Sequence, residues 1–406
     1  MKQKRSIFIF VLLISSIFIF SSIKYAYAAE FKEIKNAHVG HYQPSGVSVM
    51  FEDVEINGTY AYVSDASLPG LRVISLADPS NPSPIALRTV TGENSYEIEI
   101  ANDVAYLRVV ENHDWNIEYI DISSPSSPVY KGLLDLGYAR GFDASETTLF
   151  VNNYTEIISF NFSNVDSPVE LDRLNLTEVG ESLTFIDNYL YVCTANTATY
   201  QLKIVNATNP SNLDLISSFD LGEHYAQSYF IEGNVLYTSG LNSTRTVLPE
   251  RTHRAHVKSI DISDKTNPSF LSDIFIDGIN GVGIAIHDNK LFSGACAEGI
   301  VVVGITNPSS LQAIGFYDDY QDIYCGGDEH YAMYPKLYED ATLGNLLVFT
   351  SMGCGLNIIS IDNLEFELSI PGFDIFLLAL TTTMAIFLVH KKLRKKLDSS
   401  ESITKS

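Results

Sequence analysis

The chain has 406 residues, 46% hydrophobic and 18% charged, with 26 Lys and Arg against 49 Asp and Glu for a formal net charge of −23. A chain of this length can bury one large core, and so negative a field repels nucleic acid and anionic lipid, which sets both aside as partners. The acidity is concentrated between the two ends: residues 29–368 hold 16 Lys and Arg against 46 Asp and Glu, a difference of −30.

The first segment, "MKQKRSIFIFVLLISSIFIFSSIKYAYA", joins a basic start (Lys2, Lys4, Arg5) to an apolar run and the small-x-small triplet Ala26-Tyr27-Ala28. Those are the parts of a secretory signal peptide spanning residues 1–28.

After it, one phrase keeps returning. It reads "GLRVISLADPSNP" at 70–82, "NIEYIDISSPSSP" at 116–128, "EIISFNFSNVDSP" at 156–168, "QLKIVNATNP" at 201–210, "HVKSIDISDKTNP" at 256–268, "GIVVVGITNP" at 299–308 and, truncated, "GLNIISIDN" at 355–363. The intervals between the closing prolines are 46, 40, 42, 58 and 40 residues, so one supersecondary unit of about 40 residues repeats. Each phrase is preceded by two apolar runs around a short polar turn, as in "FEDVEINGTYAYVSD" and "IEIANDVAYLRV", which reads as a hairpin. The phrase itself is a third strand rich in β-branched residues, ended by Asp, Ser or Asn and a proline that fixes an extended residue before a turn. A fourth run follows, such as "PIALRTV" or "LQAIGFY". Four strands per unit, no amphipathic helix and this period predict an all-β fold, a seven-bladed β-propeller of four-stranded antiparallel blades.

The seventh unit stops after its third strand at Asn363, and "AHVGHY" (37–42) matches "QAIGFY" (312–317), the fourth strand of the sixth unit. The N-terminal strand is therefore expected to complete the last blade and close the ring, leaving no raw edge there.

The phrase, best seen in "LRVISLADPSNP", "IEYIDISSPSSP" and "VKSIDISDKTNP", resembles the LVIVD-repeat family of bacterial and archaeal surface proteins, for which the resemblance implies a β-propeller across residues 31–363 and the domain 29–366. "IISFNFSNVDSP" departs further, and the seventh copy lacks its proline. The family supplies no catalytic motif.

Near the end, "IPGFDIFLLALTTTMAIFLVH" (370–390) has the length of a transmembrane helix, and "KKLRKK" (391–396) begins a basic tail, 391–406, that would stay on the cytoplasmic side. The expectation is a single-pass cell-membrane protein whose N-terminal ectodomain faces outward. "PGF" (371–373), a span and a basic cluster also resemble the archaeal PGF-type sorting signal, in which the anchor is exchanged for a lipid; the ten residues after "KKLRKK" depart from that pattern, which favours a plain membrane anchor. Six sequons, at Asn57, Asn153, Asn161, Asn175, Asn206 and Asn242, suit a glycosylated exterior domain.

In a propeller, the loops between second and third strands and those between blades gather on one face around the central channel, where function is to be sought. The long fifth-blade loop carries Arg245, Arg251, His253, Arg254 and His256, which either receive an acidic ligand or glycan or offset nearby acids. Trp115, the only tryptophan, suits stacking on a sugar or partner side chain, or packing sideways against a neighbouring blade. "YDDYQDIYCGGDEHYAMY" (317–334) offers Asp318, Asp319, Asp322, Asp328 and Glu329 as oxygen ligands for Ca²⁺, although the spacing of an EF-hand is missing. No other cofactor is implied. Of four cysteines, Cys325 and Cys354 share a blade and form the first choice for a disulfide, with Cys296 to Cys325 as the competitor and Cys193 a candidate buried thiol.

No nucleophile–base pair or placed carboxylate pair is recognisable, and His287 in "IAIHDNK" occupies a hairpin-turn position, a structural role. The residues therefore favour a non-catalytic surface module that binds a protein or glycan. The alternatives are a hydrolase with active-site residues scattered over several blades and a structural component of the envelope.

Overall fold

The computed structural model describes residues 32–34, 36–44, 49–90, 92–196, 199–242, 254–276, 281–295, 299–317, 331–362, 364 and 366–367. The signal segment 1–28, the span 370–390 and the tail 391–406 lie outside the described residues, as do Arg245, Arg251, His253, the acidic group Asp318 to Glu329, Cys296 and Cys325. Among the described residues no helix is long and apolar enough to cross a membrane.

Two short strands come first, β1 (Lys32–Ile34) and β2 (His38–Tyr42). Blade 1 is β3 (Phe51–Asn57), β4 (Tyr60–Asp65), β5 (Gly70–Ser75) and β6 (Ser83–Thr89). Blade 2 is β7 (Asn94–Ala101), β8 (Val104–Glu111), β9 (Asp114–Asp121) and β10 (Val129–Leu134). Blade 3 is β11 (Ala139–Ser145), β12 (Thr148–Asn153), β13 (Glu156–Asn161) and β14 (Val169–Asn175). Blade 4 is β15 (Val179–Ile186), β16 (Tyr189–Ala195), β17 (Tyr200–Asn206) and β18 (Asp214–Gly222). Blade 5 is β19 (His224–Glu232), β20 (Val235–Asn242), β21 (Arg254–Asp261) and β22 (Ser269–Ile276). Blade 6 is β23 (Val282–His287), β24 (Lys290–Gly294), β25 (Ile300–Gly304) and β26 (Gln312–Tyr317). Blade 7 takes β27 (Tyr331–Asp340), β28 (Gly344–Met352) and β29 (Gly355–Ser360), and β30 (Phe366–Glu367) ends the described chain.

Each blade is an antiparallel meander, and the N-terminal strand closes the ring as its sequence implies. β2 pairs antiparallel with β29, His38 opposite Ile359 and Tyr42 opposite Leu356, so the seventh sheet runs β2-β29-β28-β27. Blade 6 departs from the four-strand rule. Its outer strand β26 accepts β1 in parallel, and β1 in turn pairs antiparallel with β30, making a sheet of six. Strands of three and two residues carry too little pattern to be read from sequence.

The hairpins follow turn chemistry. Asn102-Asp103, Asp187-Asn188 and Asp288-Asn289 all have positive φ, between 45° and 66°, the conformation a two-residue turn with the right twist demands and that Asn and Asp tolerate. His287 pairs with Lys290 across the last of these, in the structural position expected.

The recurrent phrase is explained by its polar residues. Asp121, Asn161, Asn206 and Asp261 each accept, on Oδ1, the backbone N–H two residues on, at 2.7–3.0 Å. A backbone turn follows at once, from Asn81 N to Asp78 O in blade 1 through Ser310 N to Asn307 O in blade 6, at 2.9–3.1 Å. Two sequon asparagines, Asn161 and Asn206, thus double as turn-forming residues.

The apolar residues of the phrase meet those of the next blade. Seven clusters of buried side chains occupy the seven interfaces between neighbouring blades: Val73 and Leu71 of blade 1 meet Ile98 and Leu107 of blade 2, and Val348 of blade 7 meets Phe51 of blade 1. No blade has a core of its own, so repetition is the condition of stability. Hydroxyls reinforce the seams: Ser159 donates to Pro210 O and Ser259 to Pro308 O, both at 2.6 Å, from one blade's third strand to the next blade's phrase.

A candidate site at the channel mouth

The innermost strands share one irregularity. In every blade the register between first and second strand slips by one residue, between Phe51 and Val54, Ser95 and Ile98, Ala139 and Gly141, Gly180 and Ser182, Ala226 and Ser228, Val282 and Ile284, and Met333 and Lys336. Each slip is a β-bulge, which kinks the strand and re-aims its side chains. The seven bulges bring Glu52-Asp53, Tyr96-Glu97, Arg140, Glu181, Gln227, Gly283 and Tyr334-Pro335 into one ring near the starts of the channel strands. That is the face of the blade-to-blade connections.

Charges in this ring are paired. Arg140 Nη1 lies 2.7 Å from Glu181 Oε2 of the next blade, and Arg108 Nη1 lies 3.1 Å from Glu97 Oε2. Deeper in, Lys336 Nζ pairs with Glu55 of blade 1. Asp53 accepts N–H bonds from Val54 at 2.7 Å and from Ile98 of blade 2 at 3.2 Å. Asp143 accepts from Ala144 at 2.6 Å and from Phe185 of blade 4 at 2.7 Å.

Asp53, Glu97, Asp143, Gln227, Tyr334 and Lys336 line a cavity of about 200 Å³ in the channel, together with the backbone of Gly283. Removal from water disfavours the carboxylate form and dominates there. It pushes Asp53 up to about 8, Asp143 to about 7 and Glu52 at the rim to about 7, and it also raises Glu97 and Glu99.

Trp115, at the start of β9, connects to this cavity through Tyr96 and Arg108, the neighbours of Glu97. Its ring stacks on Tyr96 at 5.9 Å between centroids and 4° between planes. The guanidinium of Arg108 lies 4.6 Å from the Trp115 centroid and that of Arg140, from blade 3, 5.4 Å. A parallel bridge ties Trp115 to Tyr138, and its N–H donates to Gly137 O at 3.1 Å. The indole thus spans the seam between blades 2 and 3 and remains partly exposed.

Tyr334 has φ 47°, a left-handed conformation costly for an aromatic residue, and Pro335 follows it. Gly283, φ 78°, makes room: a Cβ there would stand 2.5 Å from Tyr334 Cα.

The other sequence candidates lie elsewhere. Arg254 begins β21, opposite Asn242. His256 is 3% exposed, its ring stacked on Phe275 at 4.2 Å and its Nε2 3.1 Å from Asp273 Oδ2, so it belongs to the blade interior and presents nothing to a ligand. Burial, with Lys258 nearby, lowers it to about 4. Cys193 is a buried thiol whose sulfur meets the Tyr229 hydroxyl, and Cys354 is disulfide-bonded, its partner lying outside the described residues. Asn175 is exposed, and Asn57, Asn153, Asn161, Asn206 and Asn242 are partly exposed. Among the described residues no group of three His, Cys, Asp or Glu is placed to hold a metal ion.

The ring of bulge residues escaped sequence reasoning. Its one signal is positional: Glu52, Tyr96, Arg140, Glu181, Gln227 and Gly283 each stand two residues before the apolar run of the first strand, where seven otherwise similar units differ from one another.

The LVIVD repeat model matches residues 50–88, 114–135 and 284–319, which fall on blades 1, 2 and 6. The chain is thus a β-propeller carrying LVIVD repeats. No curated protein matches it. Solved structures similar in fold include BamB from Moraxella catarrhalis, at 11% identity and TM-score 0.50, covering 83% of this chain and 92% of that one. A functionally unknown protein from Desulfotomaculum acetoxidans has 14% identity and TM-score 0.52 over 66% and 90% of the two chains. The computationally designed Ika8 protein has 10% identity and TM-score 0.53 over 80% and 100%. At such identities the likeness is one of fold alone.

Proposed function

We propose that this protein is an exported β-propeller, held at the outer surface of a cell membrane by its C-terminal segment, that binds a protein or glycan through the channel mouth. One observation carries the reading: the Tyr96–Trp115 stack, flanked by Arg108 and Arg140, is partly exposed and adjoins Glu97, which lines a polar cavity. Aromatic and arginine side chains concentrate binding energy because they offer large faces and directed donors with little flexibility to lose. The bulges that build this rim are conformational irregularities that a pure scaffold has no need to decorate differently in each blade.

The test is a pull-down from solubilised cell-surface extract with the full chain, with and without calcium, beside a Trp115→Ala/Arg140→Ala double variant. A species captured by the parent and lost in the double variant supports the reading. Equal capture by both removes the mouth from consideration and leaves the envelope-scaffold alternative. Protease accessibility of the propeller on intact cells, with retention in the membrane fraction at high pH, tests the outward orientation and the anchor.

A second reading has its own observation. Asp53 and Asp143, from two blades, line one cavity with their carboxyls held toward the neutral form near pH 7, as a general acid requires. Turnover of chromogenic glycosides by the parent, abolished in Asp53→Asn, would favour a hydrolase over a binding module.

A further inference from the structure

We infer that the unit recognised is a single neutral polyhydroxylated ring, one sugar residue of a glycan, seated in the channel cavity beside Gly283 and Tyr334 with its neighbour against the Tyr96–Trp115 stack. The inference rests on the channel mouth being the ligand face and specifies what that face takes.

Charge decides the class first. The three cations at the cavity and its rim, Arg108, Arg140 and Lys336, are each paired, with Glu97, Glu181 and Glu55. Among the described residues, then, no cation there lacks a carboxylate beside it, which disfavours an anionic ligand. The carboxyls of Asp53 and Asp143, pushed up to about 8 and about 7 by burial, carry reduced charge near neutrality and offer little to a cation. A protonated carboxyl is at once donor and acceptor, as a sugar hydroxyl is, so the two groups match in either direction.

Space and shape agree. About 200 Å³ suits one small ring rather than an extended polymer. The residue inserted at the blade 6 bulge, Gly283, has no side chain, and Gly141 of blade 3 also lines the cavity, so backbone forms part of its wall. Gln227 borders the cavity from blade 5, and no described group bonds its amide oxygen, leaving the amide free to turn toward an occupant. On the other side, Tyr334 is held in its left-handed conformation with its phenol near Glu97, Asp53, Arg108 and Glu52. Local strain of this kind is retained where it places a group for use. A pyranose combines apolar C–H faces for the aromatic rings with a rim of hydroxyls for the carboxyls and the amide.

The molecule carries its own reporter, because Trp115 is the only tryptophan of the full chain. The experiment is a tryptophan-fluorescence titration of the full chain in a detergent free of sugar headgroups. The probes are neutral hexoses, N-acetylhexosamines and their di- to tetrasaccharides, with a uronic acid oligomer and an amino-sugar oligomer as charged counterparts. The expected result is a saturable response to a neutral sugar. Affinity should weaken at least about tenfold in Gln227→Leu, which removes the amide but keeps the volume, while that variant's melting temperature holds or rises. Gly283→Ala should abolish the response, and Gln227→Leu keeps the test decisive if the glycine variant fails to fold. Response to the charged oligomers alone, or unchanged affinity in Gln227→Leu, overturns the inference. Silence toward every sugar, while the pull-down still captures a species that depends on Trp115 and Arg140, overturns the sugar class and spares the mouth as a ligand face. Silence in both overturns both readings.

Discussion

The outer and inner parts of each blade obey different rules. At the end of the third strand, the phrase repeats with nearly the same chemistry in blades 1 to 6: an Asx acceptor, a backbone turn and a proline. At the bulge of the first strand the backbone repeats and the side chains do not, running from Glu52 to Tyr96, Arg140, Glu181, Gln227, Gly283 and Tyr334. The turn is remade six times to stack the blades, so it varies little. The bulges point inward, where those of blades 1, 2, 5, 6 and 7 border one cavity with Asp53, Glu97, Gln227, Gly283 and Tyr334, and there the side chains change from blade to blade.

That contrast can be broken from either side. The largest effect on stability should come from the phrase: Ile120→Ala, at a fully buried position packed against its neighbours, should cost about 3 kcal/mol in urea unfolding and leave ligand affinity unchanged. Gly283→Ala, at the bulge, should cost at least about 1 kcal/mol, since both its φ and the 2.5 Å approach to Tyr334 forbid a Cβ, and here affinity should fall as well. Gly58→Ala shares the positive φ but meets nothing within 4 Å, and it should be milder in unfolding and silent in binding. Ser159→Ala, which deletes the hydrogen bond to Pro210 across one seam, should cost about 1 kcal/mol, again without altering binding.

A graded effect should appear with pH. Asp53 and Asp143 are raised in the folded protein, so the native state binds more protons than the unfolded chain between pH 4 and about 8. Their contribution to stability is therefore fully present at the acid end of that window and is lost as pH rises toward 8, and Asp53→Asn should flatten this decline in a melting series. His256, lowered to about 4, acts oppositely: its contribution is present above about pH 6.5 and is lost as pH falls toward 4. His256→Phe should shrink the acid limb and leave the alkaline one unchanged, the buried neighbour His224, also lowered, keeping a share of it. Smallest of all, Arg140→Ala should change stability by less than about 1 kcal/mol, because its ion pair with Glu181 is partly exposed, and yet it should reduce binding.

The outer part of the molecule was legible and the inner part was not, for a reason the same contrast supplies. Asp121 and Asp261 with their serines and prolines announce a turn locally, and seven such announcements at a common spacing define blades, their number and the strand that closes them. A bulge inserts one residue with no turn chemistry of its own, so nothing at Arg140 or Gln227 marks it until the blades are superposed. Trp115 was singled out because it is alone in the chain, whereas its partners Tyr96, Arg108 and Arg140 are ordinary residues that only the ring brings together. His256 drew attention by its company of arginines in sequence, but it faces Phe275 and Asp273 within the blade.

The mixed parentage of blade 7 has a consequence in time. Its outer strand β2 precedes blade 1 in sequence, and its partner β29 is the last strand of blade 7 in chain order. During synthesis, β2 has to stay unpaired while six blades assemble behind it, and the ring shuts only once β29 has been made. Contacts between such distant segments form slowly, and an uncommitted strand is open to wrong partners in the interval. The sequence His38-Val39-Gly40-His41-Tyr42 suits that wait: it is short, and it contains a glycine and two histidines rather than a continuous apolar run.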